Sequence, residues 1–176
     1  MSGGNYTFEP VTKEFNIVAQ AGSISITTKP AEYTGTPYAE SNIEVTKTGT
    51  GDVTYTYYTD ADANTPTTTE DKSGAASEGA APKNAGTYYV KASMAASENY
   101  GSATSDAVPF TITKTALTVT ADNQSITFGD AVSTYTFTAK GYVGDDNDSV
   151  VNANLACDYT QGDNAGTYTI TVTAAA

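Results

Sequence analysis

The chain has 176 residues and a net charge of −12, from 8 Lys+Arg against 20 Asp+Glu, and every basic residue is a lysine. With no His and no Arg, it cannot build a Ser-His-Asp triad, a Cys-His pair, a His-ligated zinc or an arginine clamp on phosphate. Against that acidity the lysines cannot assemble the basic patch that nucleic acid requires, and the same charge disfavours an anionic membrane surface.

Cys157 is the only cysteine, which excludes an internal disulfide and a thiolate metal cluster and leaves the reading of a small buried hydrophobe. Thr dominates, Val, Ile and Tyr are frequent, and Leu occurs only as Leu117 and Leu155. That composition suits pleated strands and predicts an all-β chain with almost no helix. The length allows about one or two domains of roughly 100 residues. No apolar run approaches the roughly 20 residues of a membrane helix, so no membrane insertion is expected within this fragment.

In chain order, Met1-Ser2-Gly3-Gly4 lacks the apolar core of a signal peptide and reads as a cloning scar, with the natural protein expected to extend further towards its N-terminus. Asn5-Tyr6 then opens a segment that closes on Phe15-Asn16-Ile17, and the pattern returns as Asn99-Tyr100 closing on Phe110-Thr111-Ile112. The second instance completes a module, so residues 5–19 read as the orphan closing strand of a preceding module.

Module one is expected over residues 20–114. Ile24 and Ile26 alternate with Ser23, Ser25 and Thr27 before Lys29-Pro30 ends the strand, and Tyr33-Thr34-Gly35-Thr36-Pro37 reads as a turn with an aromatic lid. Strands follow around Ile43–Thr46 and over Val53–Tyr58, separated by the turn Gly49-Thr50-Gly51-Asp52. In the second of these, Val53, Tyr55 and Tyr57 should point inward. Residues 60–83 show neither a strand nor a helix period and read as a long surface excursion. The stretch Asn84-Ala85-Gly86-Thr87-Tyr88-Tyr89-Val90-Lys91-Ala92 then starts a strand with Tyr88, Val90, Ala92 and Met94 on one face.

Module two is expected over residues 115–176. Ala116–Thr120 matches Ser23–Thr27, Ile126-Thr127-Phe128-Gly129-Asp130 matches the lid, and Tyr135 and Phe137 alternate with threonines. Val150–Tyr159 crosses back, and Asn164-Ala165-Gly166-Thr167-Tyr168-Thr169-Ile170-Thr171-Val172 repeats the late strand of module one. A counterpart of Asn99–Ile112 does not follow, so module two is expected to lack its last strand. Residues 5–19 match the missing piece, which predicts head-to-tail self-association by strand exchange between copies.

The order Asn, Gly, Tyr at the mouth of a late strand (Asn84, Gly86, Tyr88; Asn164, Gly166, Tyr168) resembles the tyrosine corner of immunoglobulin-like sandwiches. More specifically, Ala116–Asp122, Phe128-Gly129-Asp130, Gly141-Tyr142-Val143-Gly144-Asp145 and Asn164–Tyr168, in that order, resemble the mostly-β bacterial Ig-like repeats of the MBG type. The similarity is good over 116–174 and looser over 22–113. It implies tandem Ig-like β-sandwich modules in a large secreted or wall-attached bacterial protein, neighbouring repeats as partners, and an extracellular role in stalks or adhesive surfaces.

Three places were weighed for chemistry. Gly144-Asp145-Asp146-Asn147-Asp148-Ser149 clusters oxygen ligands that could hold Ca²⁺, but it lacks the glycine and terminal Glu of an EF-hand, and Asp and Asn are also what an exposed turn prefers. Tyr55, Tyr57, Tyr58, Tyr88 and Tyr89 could offer a sugar platform, yet alternation leaves only Tyr58 and Tyr89 outside, more simply as a cross-strand pair. A glycosidase-like carboxylate pair usually adds aromatic platforms, and the chain has no Trp. No catalytic or cofactor residue is therefore assigned. The expectation is a non-catalytic spacer or adhesive segment with no identified ligand. Its rival is a module recognising glycan or Ca²⁺.

Overall fold

The computed structural model describes residues 11–70, 76–132 and 134–175. The fold is all-β, its only helical turns being short 3-10 pieces at Glu40–Asn42 and Asp148–Val150 among the described residues.

Module one is a two-layer sandwich. Strands β1 (Ser23–Thr28) and β3 (Ile43–Thr48) pair antiparallel, with Ile26 opposite Val45. The facing sheet runs in the order β2 (Ala31–Glu32), β9 (Val108–Thr113), β7 (Gly86–Met94), β4 (Val53–Tyr58), with β8 (Ala103–Thr104) beside the end of β7. Alternation along β7 and β9 sends Val90, Ala92, Met94, Phe110 and Ile112 into the space between the layers, where all are buried. Ile26, Ile43, Tyr38 and Tyr57 complete that core. Phe110 is its hub, since the Tyr38 ring stacks on it at 4.0 Å and the Tyr57 and Tyr88 rings lie 5.9 and 5.8 Å away.

Two sequence expectations need correction here. The aromatic lid is Tyr38, one residue beyond the stretch expected to carry it; its hydroxyl donates to the Lys29 carbonyl at 2.6 Å, while Tyr33 is only partly buried. Residues 60–83 are also not a plain excursion. Asp60 accepts from the amides of Asn64 and Thr65 at 3.1 and 2.7 Å, closing a tight turn after β4, and β5 (Thr68–Glu70) then pairs antiparallel with β6 (Ala76–Glu78). Thr67 is buried against β4: its amide donates to the Tyr57 carbonyl at 2.9 Å and its hydroxyl to Ala80 at 2.5 Å. Backbone bonds rather than apolar alternation hold the segment, which is why no period shows in its sequence.

The Tyr57 hydroxyl is buried without a hydrogen-bond partner among the described residues, and burial raises its pKa strongly. Tyr57→Phe removes that unsatisfied group while keeping the ring. It should leave stability unchanged or raise it by about 1 kcal/mol. A clear loss in a denaturant titration would show that the hydroxyl is satisfied after all.

Module two repeats four of these strands in matching register. Strand β10 (Thr118–Ala121) pairs β11 (Phe137–Lys140) as β1 pairs β3, and β12 (Ala153–Cys157) pairs β13 (Ile170–Ala174) as β4 pairs β7. The correspondence holds residue by residue, since Val90 faces Tyr57 across its ladder and Ile170 faces Cys157 across the other. Strand alternation is intact along β12, yet no described residue between 114 and 175 is buried. Cys157 is half-buried rather than buried, because its side of the ladder lacks a full cover.

Residues 11–19 form no strand and are exposed along their length, with Phe15 and Ile17 at 87% and 84% exposure. They pack on neither module. The first part of the predicted orphan strand, residues 5–10, lies outside the described residues, as do residues 1–4.

Candidate functional site

The repeated corner has the same geometry twice. The Tyr88 hydroxyl donates to the Asn84 carbonyl at 3.1 Å, and the Tyr168 hydroxyl donates to the Asn164 carbonyl at 2.8 Å. Each ring folds back over its turn and ties the strand mouth to the backbone four residues earlier, the bond expected of a tyrosine corner. Both rings are half-buried, Tyr88 against Phe110 and Tyr168 edge-on to Tyr159 at 5.2 Å.

Neither Gly86 nor Gly166 has a positive φ, so backbone conformation does not by itself disfavour a side chain at either position. At Gly86 the reason for glycine is space. A Cβ at Gly86 would lie 3.1 to 3.2 Å from the Tyr88 ring and hydroxyl, whereas at Gly166 the nearest atoms are 3.8 and 3.9 Å away. The second corner is looser than the first.

The candidate Ca²⁺ turn joins the two modules instead of gathering its oxygens. Asp146 accepts from the Tyr33 hydroxyl at 3.0 Å, a contact that raises the Tyr33 pKa through that hydrogen bond first and then through desolvation and charge. Asp148 accepts a short hydrogen bond from Tyr142, whose hydroxyl is pushed up to about 12 by desolvation and by that carboxylate. Asn147 accepts from the Ser149 amide at 3.0 Å, capping the 3-10 turn, and its side chain also reaches the Asp145 carbonyl. Among the described residues no group of three or more His, Cys, Asp or Glu is arranged to hold a metal ion. On the module-one side, Thr115 donates to the Tyr33 carbonyl at 2.6 Å. Gly35 and Gly144, both at positive φ, approach so closely that a Cβ on Gly35 would sit 3.4 Å from the Gly144 Cα. Tyr33 thus bridges the two modules, a role its sequence position did not signal.

Tyr58 and Tyr89, the pair left for the outside, are direct partners across the β4–β7 ladder and both are half-buried. A concavity lies in module two. It is a cleft of 680 Å³ between its two ladders, walled by Ile126, Phe128, Tyr135, Cys157, Tyr168 and Ile170. Tyr159 donates to the Asp130 carbonyl at 3.0 Å and Gln161 to that of Gly129 at 2.9 Å. These bonds hold the Phe128–Asp130 turn over one end, leaving the Phe128 ring 69% exposed.

A tandem all-β repeat protein with a tyrosine corner in each unit is the class that these observations define. Residues 117–176 match the family model described as the MBG domain (YGX type), so module two is similar to MBG-type repeats, which occur in surface proteins. Within the matched span Phe128-Gly129 is the nearest approach to a Tyr-Gly pair. No curated protein and no solved structure matches this chain. No helix among the described residues is long and apolar enough to cross a membrane.

Proposed function

We propose that the chain is a non-catalytic stalk segment of a bacterial cell-surface protein, carrying load or spacing an adhesive surface outside the cell. The observation that carries this reading is the end-to-end joint. The N-terminal segment leaves module one at Gln20, which exchanges backbone hydrogen bonds of 2.8 Å with Asn99 and Gly101. Module two is attached through Tyr33, Thr115 and Asp146, close to Asn84 and Lys83 at the start of β7. Entry and exit are thus at opposite ends of β7, the arrangement that lets repeats stack into a rod. The match of module two to a repeat of surface proteins supports the same reading.

If the modules are spacers, the chain should melt at the same temperature with and without millimolar Ca²⁺, and with and without soluble glycans of the kinds found on cell surfaces. A ligand held at 100 times its Kd would add about 2.7 kcal/mol. A melting-temperature rise of that order would favour a glycan or Ca²⁺ receptor instead.

A further inference from the structure

We propose that the joint between the modules is a latched hinge, with its pivot in the backbone between Thr115 and Ala116 and its latch the hydrogen bond from the Tyr33 hydroxyl to Asp146. The connection from β9 to β10 is short, Lys114-Thr115-Ala116-Leu117, and none of its four residues is buried. Its first half is fastened to module one. Tyr33 donates its amide to the Thr113 carbonyl at 2.9 Å and accepts at its own carbonyl from the Thr115 hydroxyl at 2.6 Å, so its backbone grips the chain on both sides of Lys114. The Thr113 hydroxyl adds a bond to the Ala31 carbonyl at 3.3 Å. The second half lies against module two, where a Cβ on Gly141 would fall 2.9 Å from the Ala116 carbonyl oxygen and 3.7 Å from the Leu117 Cα. Rotation between the modules is thereby confined to the backbone where the two fastenings meet.

Left alone, such a pivot lets two modules swing, because relative motion is the default where the interface between domains is small and polar. No described residue of module two is buried, so an apolar seam does not set the angle, and Val150 beside the joint is 55% exposed. Two contacts away from the pivot set it instead. Gly35 meets Gly144, both at positive φ, and two residues away in each loop the Tyr33 hydroxyl donates to Asp146 at 3.0 Å in a part-buried setting. The glycine contact is a stop, since it resists approach and not separation. The hydrogen bond resists separation. Both of its ends are held, the Tyr33 ring by packing on the module-one core and the Asp146 backbone by its amide's bond to the Val143 carbonyl at 3.2 Å.

Shut, the latch makes the two modules one rigid body. Open, it leaves them to turn about the pivot while every strand ladder stays paired. A stalk built this way keeps its direction at rest and yields at the joint when bent, before the six-residue ladder of β4 with β7 is disturbed. As a device of a stalk the latch rests on the reading proposed above.

Residual dipolar couplings of the 176-residue chain should fit a single alignment tensor for both modules. Tyr33→Phe keeps the ring on the core and removes the donor, and it should split the couplings into two independent sets, with the amide shifts of the strands in each module unchanged. Asp146→Ala should split them in the same way from the other side of the joint, whereas Asp146→Asn, which keeps an acceptor oxygen, should preserve the single tensor. Tyr88→Phe is the control, since it removes a hydroxyl bond inside module one and should leave the joint rigid. A parent chain with two independent tensors overturns the proposal. So does a Tyr33→Phe or Asp146→Ala chain whose modules still align as one body. Neither result touches the stalk reading, which a rise in melting temperature on adding Ca²⁺ or glycan would overturn instead.

Discussion

Phe110→Ala should lower the stability of module one by about 3–5 kcal/mol, read as a fall in the denaturant midpoint with little change in slope. The ring is 4% exposed and contacts Tyr38, Tyr57 and Tyr88. Truncation therefore leaves a cavity walled by three aromatic rings that stay anchored, Tyr38 by its bond to Lys29 and Tyr88 by its bond to Asn84. Walls held in this way collapse little, which puts the cost towards the upper part of the range for large-to-small changes. Phe15→Ala, at the equivalent position of the repeat, should cost the isolated chain almost nothing because that ring is 87% exposed. A similar loss for the two variants would mean that residues 11–19 pack on a module in solution.

Gly51→Ala should cost about 3 kcal/mol by a different route. A Cβ there would fall 1.8 Å from the Ala95 carbonyl oxygen, which is backbone and cannot swing aside. The approach is fixed from both sides, since the Ala95 amide donates to the Asp52 carbonyl at 2.9 Å and Lys47 donates to the Gly51 carbonyl at 2.7 Å. Opening the β3–β4 turn to admit a methyl group disrupts those bonds, at the upper end of the usual overpacking cost. Gly101→Ala serves as the control. Its added Cβ meets nothing closer than 3.8 Å, so the change should be near neutral. A neutral Gly51→Ala would show that the turn is far more yielding than its hydrogen bonds suggest.

The strands were legible because period-2 patterning over Ser23–Thr27, Val53–Tyr58 and Gly86–Met94 coincides with one buried face. The repeat was legible because the same order Asn-Ala-Gly-Thr-Tyr stands at Asn84–Tyr88 and again at Asn164–Tyr168. Tyr38 was not legible. It lies between Pro37 and Ala39 outside any strand, and its burial comes from the stack on Phe110, a partner 72 residues away that no local pattern reveals. The β5–β6 pairing was hidden for a related reason, since the segment is held by the backbone bonds of buried Thr67 and by a carboxylate-capped turn before β5, with no apolar run. In the Asp145–Asp148 turn the sequence identified acidic oxygens but could not identify the groups that donate to them. Tyr33, the donor to Asp146, is 113 residues distant.

The central claim is that both modules are built on one plan and that, among the described residues, β13 is paired with β12 alone whereas β7 is paired on both sides. Amide hydrogen exchange on this chain tests that claim most directly. The amides of β4, β7 and β9 should exchange only through global opening of module one, while those of β12 and β13 should exchange through low-energy local opening, orders of magnitude faster. Protection in β12 and β13 equal to that in β4 and β7 would contradict the account.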